Sequence, residues 1–208
     1  MLSGLSILIA HKGWFMDLLF VTNNKAKIKI VNAILRKHNI KIKTRSFDFR
    51  ELQDINVENV SRDKANQFLE YNKVKEPFLV MDSGLYISAL KGFPGAILRP
   101  SLDTIGDVGI CKLLIDIDNR GADFVHSFAM WNQRTKETKT FILSERGKII
   151  NTPVGSKNLG WGIERIFIPN GSKKCFSQFS TYELREYWST KLRSSQYNRF
   201  ADWAKSQL

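Results

Sequence analysis

Residues 18–37 read LLFVTNNKAKIKIVNAILRK, and the hydrophobic period changes within that one stretch. Leu18–Thr22 is a continuous apolar run that ends in Asn23–Asn24, the pattern of a buried strand meeting a loop. Ile28, Val31, Ile34 and Leu35 then recur at helical spacing, which predicts an amphipathic helix over Ala26–Lys37. Downstream, Ile40–Phe47 alternates apolar and polar residues, as a half-buried strand does. Val57, Val60, Ala65, Phe68 and Leu69 mark a second helix that ends before Pro77. Phe78–Met81 is another fully apolar strand, with Asp82–Ser83–Gly84 expected as the turn at its end. Ile105–Ile117 is expected to be helical. Ala122–Trp131 and Thr138–Ser144 read as paired strands, with a turn at Arg146–Gly147 leading to Lys148–Ile150. Gly155–Gly162 is a glycine-rich loop. Ser180 and Glu183 form a capping box, opening a helical region that breaks near Ser194–Ser195. Alternation of strand and helix early, with strand pairing in the middle, describes a mixed α/β protein without internal repeats or linkers.

The chain has 208 residues, of which 43% are apolar and 12% aromatic, enough for a globular core and too much for disorder. Its formal net charge of +12 favours anionic partners, whether nucleotides, nucleic acid or an acidic membrane surface. The basic residues are nevertheless spread along the chain rather than blocked together, so most read as solvated surface charge. Cys111 and Cys175 lack metal-ligand spacing and suit a reducing cytosol, and a cytoplasmic location is expected. His11, His38 and His126 are far apart in sequence, which argues against zinc. No apolar run approaches the ~20 residues that a bilayer requires. Leu5–Ala10 lacks the basic flank and cleavage site of a signal peptide. Residues 1–15 therefore read as an extension or a mis-assigned start, and the domain as residues 16–208.

Four constellations carry chemistry. In the first, Thr22, Asn24, Lys25 and Lys27 sit where a strand delivers its chain to a helix start. Backbone N–H groups and an ammonium there suit a phosphate. Taken alone, the stretch also reads as an Asn-capped helix with exposed lysines. The second is Asp82–Ser83–Gly84 at a buried strand's end, with Glu51 following an independent strand. A buried carboxylate is costly unless it meets a metal, a cation or a substrate proton. Mg²⁺ on a polyphosphate needs only one or two such oxygens plus water. A solvated loop aspartate and a surface glutamate are the plainer readings. In the third, Leu159–Gly160–Trp161–Gly162, an aromatic beside glycines either stacks on a base or plugs the core. The fourth is Arg185, Ser189, Thr190, Lys191 and Arg193 in the C-terminal helical region, on a cleft wall or an exposed face.

In this order and spacing, the four constellations resemble the inosine triphosphate pyrophosphatase family across most of residues 17–208. Phe20–Lys27 is similar to that family's opening segment, with Lys27 on its phosphate-binding lysine. Glu51 falls on its metal-binding glutamate, and Lys64 on a second lysine that reaches the triphosphate. Val80-Met-Asp-Ser-Gly-Leu resembles the strand-end acidic motif, which would add Ser83 and Gly84 to the substrate site. Leu159-Gly-Trp161 resembles the base-stacking loop, and Ser189-Thr-Lys-x-Arg the terminal base-contacting motif. The resemblance implies an elongated, twisted mixed sheet forming two helix-flanked lobes around a nucleotide cleft, and a homodimer. It also implies Mg²⁺-dependent hydrolysis of non-standard purine nucleoside triphosphates (ITP, dITP, XTP) to monophosphate and pyrophosphate. Asp82 and Lys27 would act in catalysis, with Glu51 and Asp82 on the metal.

This chain departs from the pattern in several places. An acidic pair is reduced to Met81–Asp82, and strand alternation would turn Met81 into the core while Asp82 faces the cleft. The base-recognising aspartate is missing unless Glu164 takes its place. Thr190 and Lys191 replace a histidine and an arginine, and Lys lacks the planar fork with which Arg meets a purine edge. Arg185 replaces a lysine and keeps its charge. The alternatives are the same activity with altered base preference, or a catalytically weakened nucleotide or nucleic-acid binder.

Overall fold

The computed structural model describes residues 15–156, 159–160 and 162–208. Expectations for the first fourteen residues and for Trp161 therefore lie outside the described residues. Strand β1 (Met16–Val21) leads into helix α1 (Lys25–Leu35), a 3₁₀ turn and β2 (Ile40–Arg45). Helix α2 (Val57–Tyr71) connects to β3 (Phe78–Ile87), followed by the short β4 (Pro94–Gly95), α3 (Leu98–Thr104) and α4 (Gly106–Lys112). Strands β5 (Gly121–Asn132), β6 (Glu137–Ile149) and β7 (Phe167–Pro169) precede α5 (Thr181–Lys191) and α6 (Ser195–Ser206). They form one seven-stranded mixed sheet in the order β2-β1-β3-β5-β6-β7, with β4 paired to β3. The β2-β1-β3 side is parallel and the remainder antiparallel. Among the described residues no helix is long and apolar enough to cross a membrane.

Side-chain alternation sorts the sheet into layers. Leu18, Phe20, Leu79, Met81, Phe128 and Met130 point to one face, where Val31, Ile34 and Leu35 of α1 and Phe200 and Ala204 of α6 cover them. Leu19, Val21, Phe78, Val80 and Ala129 point to the other, under Ala65 and Phe68 of α2. Met81 lies in the core on the α1 side, as strand alternation predicts. Further along the same strands, Leu85, Ile87 and Phe124 belong to a third cluster with Ile110 of α4 and Phe167 of β7. The apolar clusters are thus interrupted on β3 at Asp82–Ser83–Gly84, and on β5 at His126–Ser127 directly opposite.

The helix starts follow their caps. Asn24 accepts from the Ala26 and Lys27 N–H groups at the start of α1. Ser180 and Glu183 make the reciprocal bonds of the capping box at α5, and the break before α6 falls where expected.

Three local expectations are corrected. Asp82–Ser83–Gly84 is not a turn but the middle of β3, paired with Ser127, His126 and Val125. Arg146–Gly147 likewise continues β6, paired with Asp123 and Ala122. Glycine here serves close approach rather than turning. A Cβ on Gly84 would meet the Gly95 carbonyl oxygen at 2.7 Å, and one on Gly147 would meet the Ile168 carbonyl oxygen at 2.3 Å. The helix expected over 105–117 is only α4, preceded by an unanticipated α3. Gly106, at φ +67°, divides the two.

Gly147→Ala should therefore overpack the β6–β7 contact and cost about 1–3 kcal/mol, read as a lower urea midpoint. Gly121→Ala, where a Cβ meets only side-chain atoms at 3.3 Å or more, should cost less. Equal losses at both positions would contradict this account of Gly147.

Candidate active site

At the interruption in the apolar layers, β1 has already stopped. Its pairing with β3 ends at Phe20–Leu79, and β4 joins β3 only at Leu85–Tyr86. Between these points one edge of β3 has no strand beside it among the described residues, and Asp82 lies in that gap. Lys27 of α1 reaches the gap from one face, donating to the Met81 carbonyl at 3.0 Å and standing 3.4 Å from Asp82 Oδ1. Lys64 of α2 reaches it from the other face, 2.9 Å from the same Oδ1. Glu51 adds its Oε2 at 3.0 Å from Lys64 Nζ. Lys27, Glu51, Lys64 and Asp82 are thereby brought together although they come from four separate segments. Asp82 and Lys64 are each only 7% exposed, so the pair is formed largely away from water.

Burial and charge set the protonation of these groups. Loss of water pushes the Lys27 ammonium below the usual lysine range, against the pull of Asp82, and the nearby charge of Lys64 adds to the depression. Burial opposes the charge on Lys64 as well, but Asp82 and Glu51 outweigh it and hold this ammonium above the usual range. Beneath the site, Ser83 Oγ is 2.8 Å from His126 Nδ1, on the face opposite Asp82. Burial pushes the His126 imidazole down to about 3, with Lys27 contributing further, so it is neutral at physiological pH.

The segment carrying Glu51 is neither helix nor strand and is secured by side chains. Gln67 bonds both backbone groups of Arg50. Tyr86 donates to the Ile55 carbonyl at 2.7 Å and accepts from the Val57 N–H at 2.8 Å. Gly95, at φ +57°, lets the chain lie against Ile55, since a Cβ there would meet the Ile55 carbonyl oxygen at 2.4 Å.

The other expected site residues make the following contacts. The Asn24 carboxamide is committed to the α1 cap, and Thr22 Oγ1 accepts from the Asn24 N–H at 3.1 Å. Gly84 makes room for the Gly95–Ala96 backbone. Gly160, at φ +77°, lies beside the start of α1, where a Cβ would be 3.9 Å from that of Ala26. The Leu159–Gly160 loop therefore adjoins the Lys27 side of the site. Glu164 is 1% exposed and folds back on this loop, accepting from the Leu159 and Gly160 N–H groups at 3.3 Å. Arg185 and Thr190 are exposed on α5. Ser189 is engaged by Arg193, whose guanidinium bonds its hydroxyl and its carbonyl. Lys191 turns to the buried Glu145 carboxylate, which also accepts from Tyr187 and Tyr197.

His126, Gln67, Tyr86 and Glu145 were not singled out as site residues from sequence. The register of β5 on β3 identifies His126, as the residue facing Ser83. Gln67 was discoverable only as a polar residue on the apolar side of α2, one helical turn beyond Lys64.

Two cations from opposite faces meeting one buried carboxylate, with a second carboxylate within reach, form a site suited to a polyanion and a proton acceptor. The sequence profile of the Ham1 family matches residues 18–194. A dITP/XTP pyrophosphatase of Methanopyrus kandleri is 34% identical over 193 residues, covering 93% of this chain and 98% of the relative. One from Saccharolobus solfataricus is 35% identical over 186 residues, covering 89% and 92%. A HAM1 protein from Coxiella burnetii has the same fold, with a TM-score of 0.71 at 18% identity, over 92% of this chain and all of that one. A dITP/XTP pyrophosphatase from Mycobacterium abscessus superposes with a TM-score of 0.66 at 21% identity, over 86% and 96%. Matched by the profile across both halves of the site, and by these relatives over nearly its whole length, the chain belongs to the Ham1 family.

Proposed function

We propose that this chain is a nucleoside triphosphate pyrophosphatase that hydrolyses ITP, dITP and XTP between the α- and β-phosphates, clearing non-standard purines from the nucleotide pool. The observation that carries the reading is the convergence of Lys27, Lys64 and Glu51 on Asp82 at the open edge of β3. The names of its archaeal relatives support the substrate class.

The donor set suits Mg²⁺. Glu51 and Asp82 offer hard oxygens on either side of one ammonium, and among the described residues no larger group of His, Cys, Asp or Glu suits a metal. Mg²⁺ commonly takes one or two carboxylates and completes its shell with water and phosphate. Held by Glu51 and Asp82, it would supply charge compensation on the phosphates and acidify a water. Lys27 and Lys64 bind the phosphate oxygens and stabilise the charge that grows on them during attack. Asp82 accepts the proton of the water whose oxygen bonds to the α-phosphorus. The bond to the bridging oxygen breaks, and that oxygen leaves with pyrophosphate. Ser83, anchored to neutral His126, fixes the strand next to Asp82 without adding charge.

A second reading, the same reaction with a shifted base preference, is favoured by the pairing of Lys191 with Glu145. That ammonium is held by a buried carboxylate, and Glu164 is already engaged with its own loop.

Asp82→Asn keeps the shape and removes the charge, so pyrophosphate release from dITP with Mg²⁺ should fall roughly 10²- to 10⁴-fold in kcat/KM. Retained activity would remove Asp82 from the reaction. A panel of ITP, XTP, GTP, ATP and pyrimidine triphosphates separates the two readings, and equal rates on all would exclude a selective enzyme.

His126 predicts a pH effect on stability. The unfolded chain protonates this imidazole near pH 6.5, the folded chain only near about 3. The unfolded state binds more protons across that window, so stability falls as pH drops through it, by up to ~1.4 kcal/mol per pH unit. Urea unfolding of the metal-free, nucleotide-free protein between pH 6.5 and about 5.5 should show a shallower loss in His126→Gln. Identical slopes would assign the effect to another group.

A further inference from the structure

We propose that Gln67 is a positioning residue for Glu51, clamping the preceding peptide units so that the Glu51 carboxylate stays directed at Lys64 and Asp82. This rests on the reading of Glu51 as a carboxylate of the metal and phosphate site. Glu51 lies in a segment without helix or strand, and its side chain is 62% exposed. Fixing a residue of such a segment costs about 1–2 kcal/mol in backbone entropy, so something must hold it. Gln67 is 4% exposed and faces it from α2. Its Oε1 accepts from the Arg50 N–H at 2.9 Å, and its Nε2 donates to the Arg50 carbonyl at 2.8 Å. One amide thus satisfies both backbone groups of one residue, as a neighbouring strand would.

The orientation of that amide is itself determined. Asp63 Oδ2 lies 2.6 Å from Gln67 Nε2, so a flipped amide would set oxygen against carboxylate. Asp63 precedes Gln67 by one helical turn, and Lys64 lies on the same stretch of α2. Helix α2 therefore holds the segment twice, by the Arg50 backbone and, one residue on, by the Glu51 carboxylate. Core packing does not demand this residue, since an apolar side chain of equal length would fill the same space. What the amide adds is its two hydrogen bonds to Arg50 and one to Asp63.

The test compares Gln67→Met, which keeps length and burial, with Gln67→Leu, which also removes the amide and adds no charge beside Asp63. Glu51→Gln and the Glu51→Gln/Gln67→Met double variant complete the set. Three quantities are read: exchange of the Arg50 amide, the Mg²⁺ dependence of pyrophosphate release from dITP, and Mn²⁺ binding with a non-hydrolysable triphosphate analogue, followed by the free Mn²⁺ resonance without turnover. Gln67→Met should speed Arg50 exchange and weaken metal binding roughly 10- to 100-fold, the range for residues that orient a ligand. The double variant should be no weaker than Glu51→Gln alone, because Gln67 acts through Glu51. Wild-type metal dependence in Gln67→Met beside an impaired Glu51→Gln would overturn the proposal alone, as would additive losses in the double variant. A Glu51→Gln variant that behaves as wild type would overturn the reading of Glu51 and the proposal with it. Should Gln67→Met fail to fold, Gln67→Leu carries the same comparisons.

Discussion

A carboxylate in the middle of a buried strand loses its water, and an uncompensated charge there would cost several kcal/mol. Asp82 is such a group, and much of the surrounding architecture is arranged to bring cations to it. Strand β1 stops short, which opens one edge of β3. Helices on opposite faces of the sheet each direct a lysine into that opening. The apolar clusters part on either side, leaving Ser83, His126 and Ser127 where a continuous core would have carried aliphatic residues. Removal of either lysine would leave the other with the whole burden, and α1 and α2 would no longer be joined across the sheet.

The sequence made the alternation of elements readable, because buried strands and amphipathic helices carry distinct periods. Leu18–Thr22, α1, α2 and the α5 capping box all fall where the pattern puts them. Two of the errors share one cause. At Asp82–Gly84 and Arg146–Gly147, polar and glycine residues suggested turns, whereas long antiparallel pairing carried the strands straight through. Local propensity is weak against twelve paired positions between β5 and β6. Glycine at those places reports a close neighbour in space, information that a single chain does not contain.

The candidate site divides in the same way. Lys27 and Asp82 stood in short motifs of their own, whereas Glu51 and Lys64 were assigned by resemblance to the family, and the structure brings the four side chains together. Asn24, Ser189 and Lys191 were also expected to meet substrate, and in the structure their side chains engage a helix cap, Arg193 and Glu145. Polar residues on helices have many available partners, and sequence does not rank them. The Glu145 pocket shows this well. A glutamate 4% exposed, with two tyrosines and a lysine on it, ties α5 and α6 to β6. The helix that would wall the base side is held in place at the expense of one of its own contacts.

The four charges at the open edge of β3 have a consequence for encounter as distinct from chemistry. Lys27 and Lys64 balance Glu51 and Asp82, so the cluster is formally neutral and exerts little pull at a distance. The chain's +12 resides elsewhere, including Lys41 and Arg45, which are exposed on the β2 edge. A triphosphate is therefore drawn in by a diffuse surface field that salt screens within about 10 Å at 0.1 M. It is then received at Lys64 and Asp82, a pair too buried for salt to screen strongly. Capture and turnover in this protein answer to different electrostatics, the first governed by ionic strength and the second by the geometry around one strand residue.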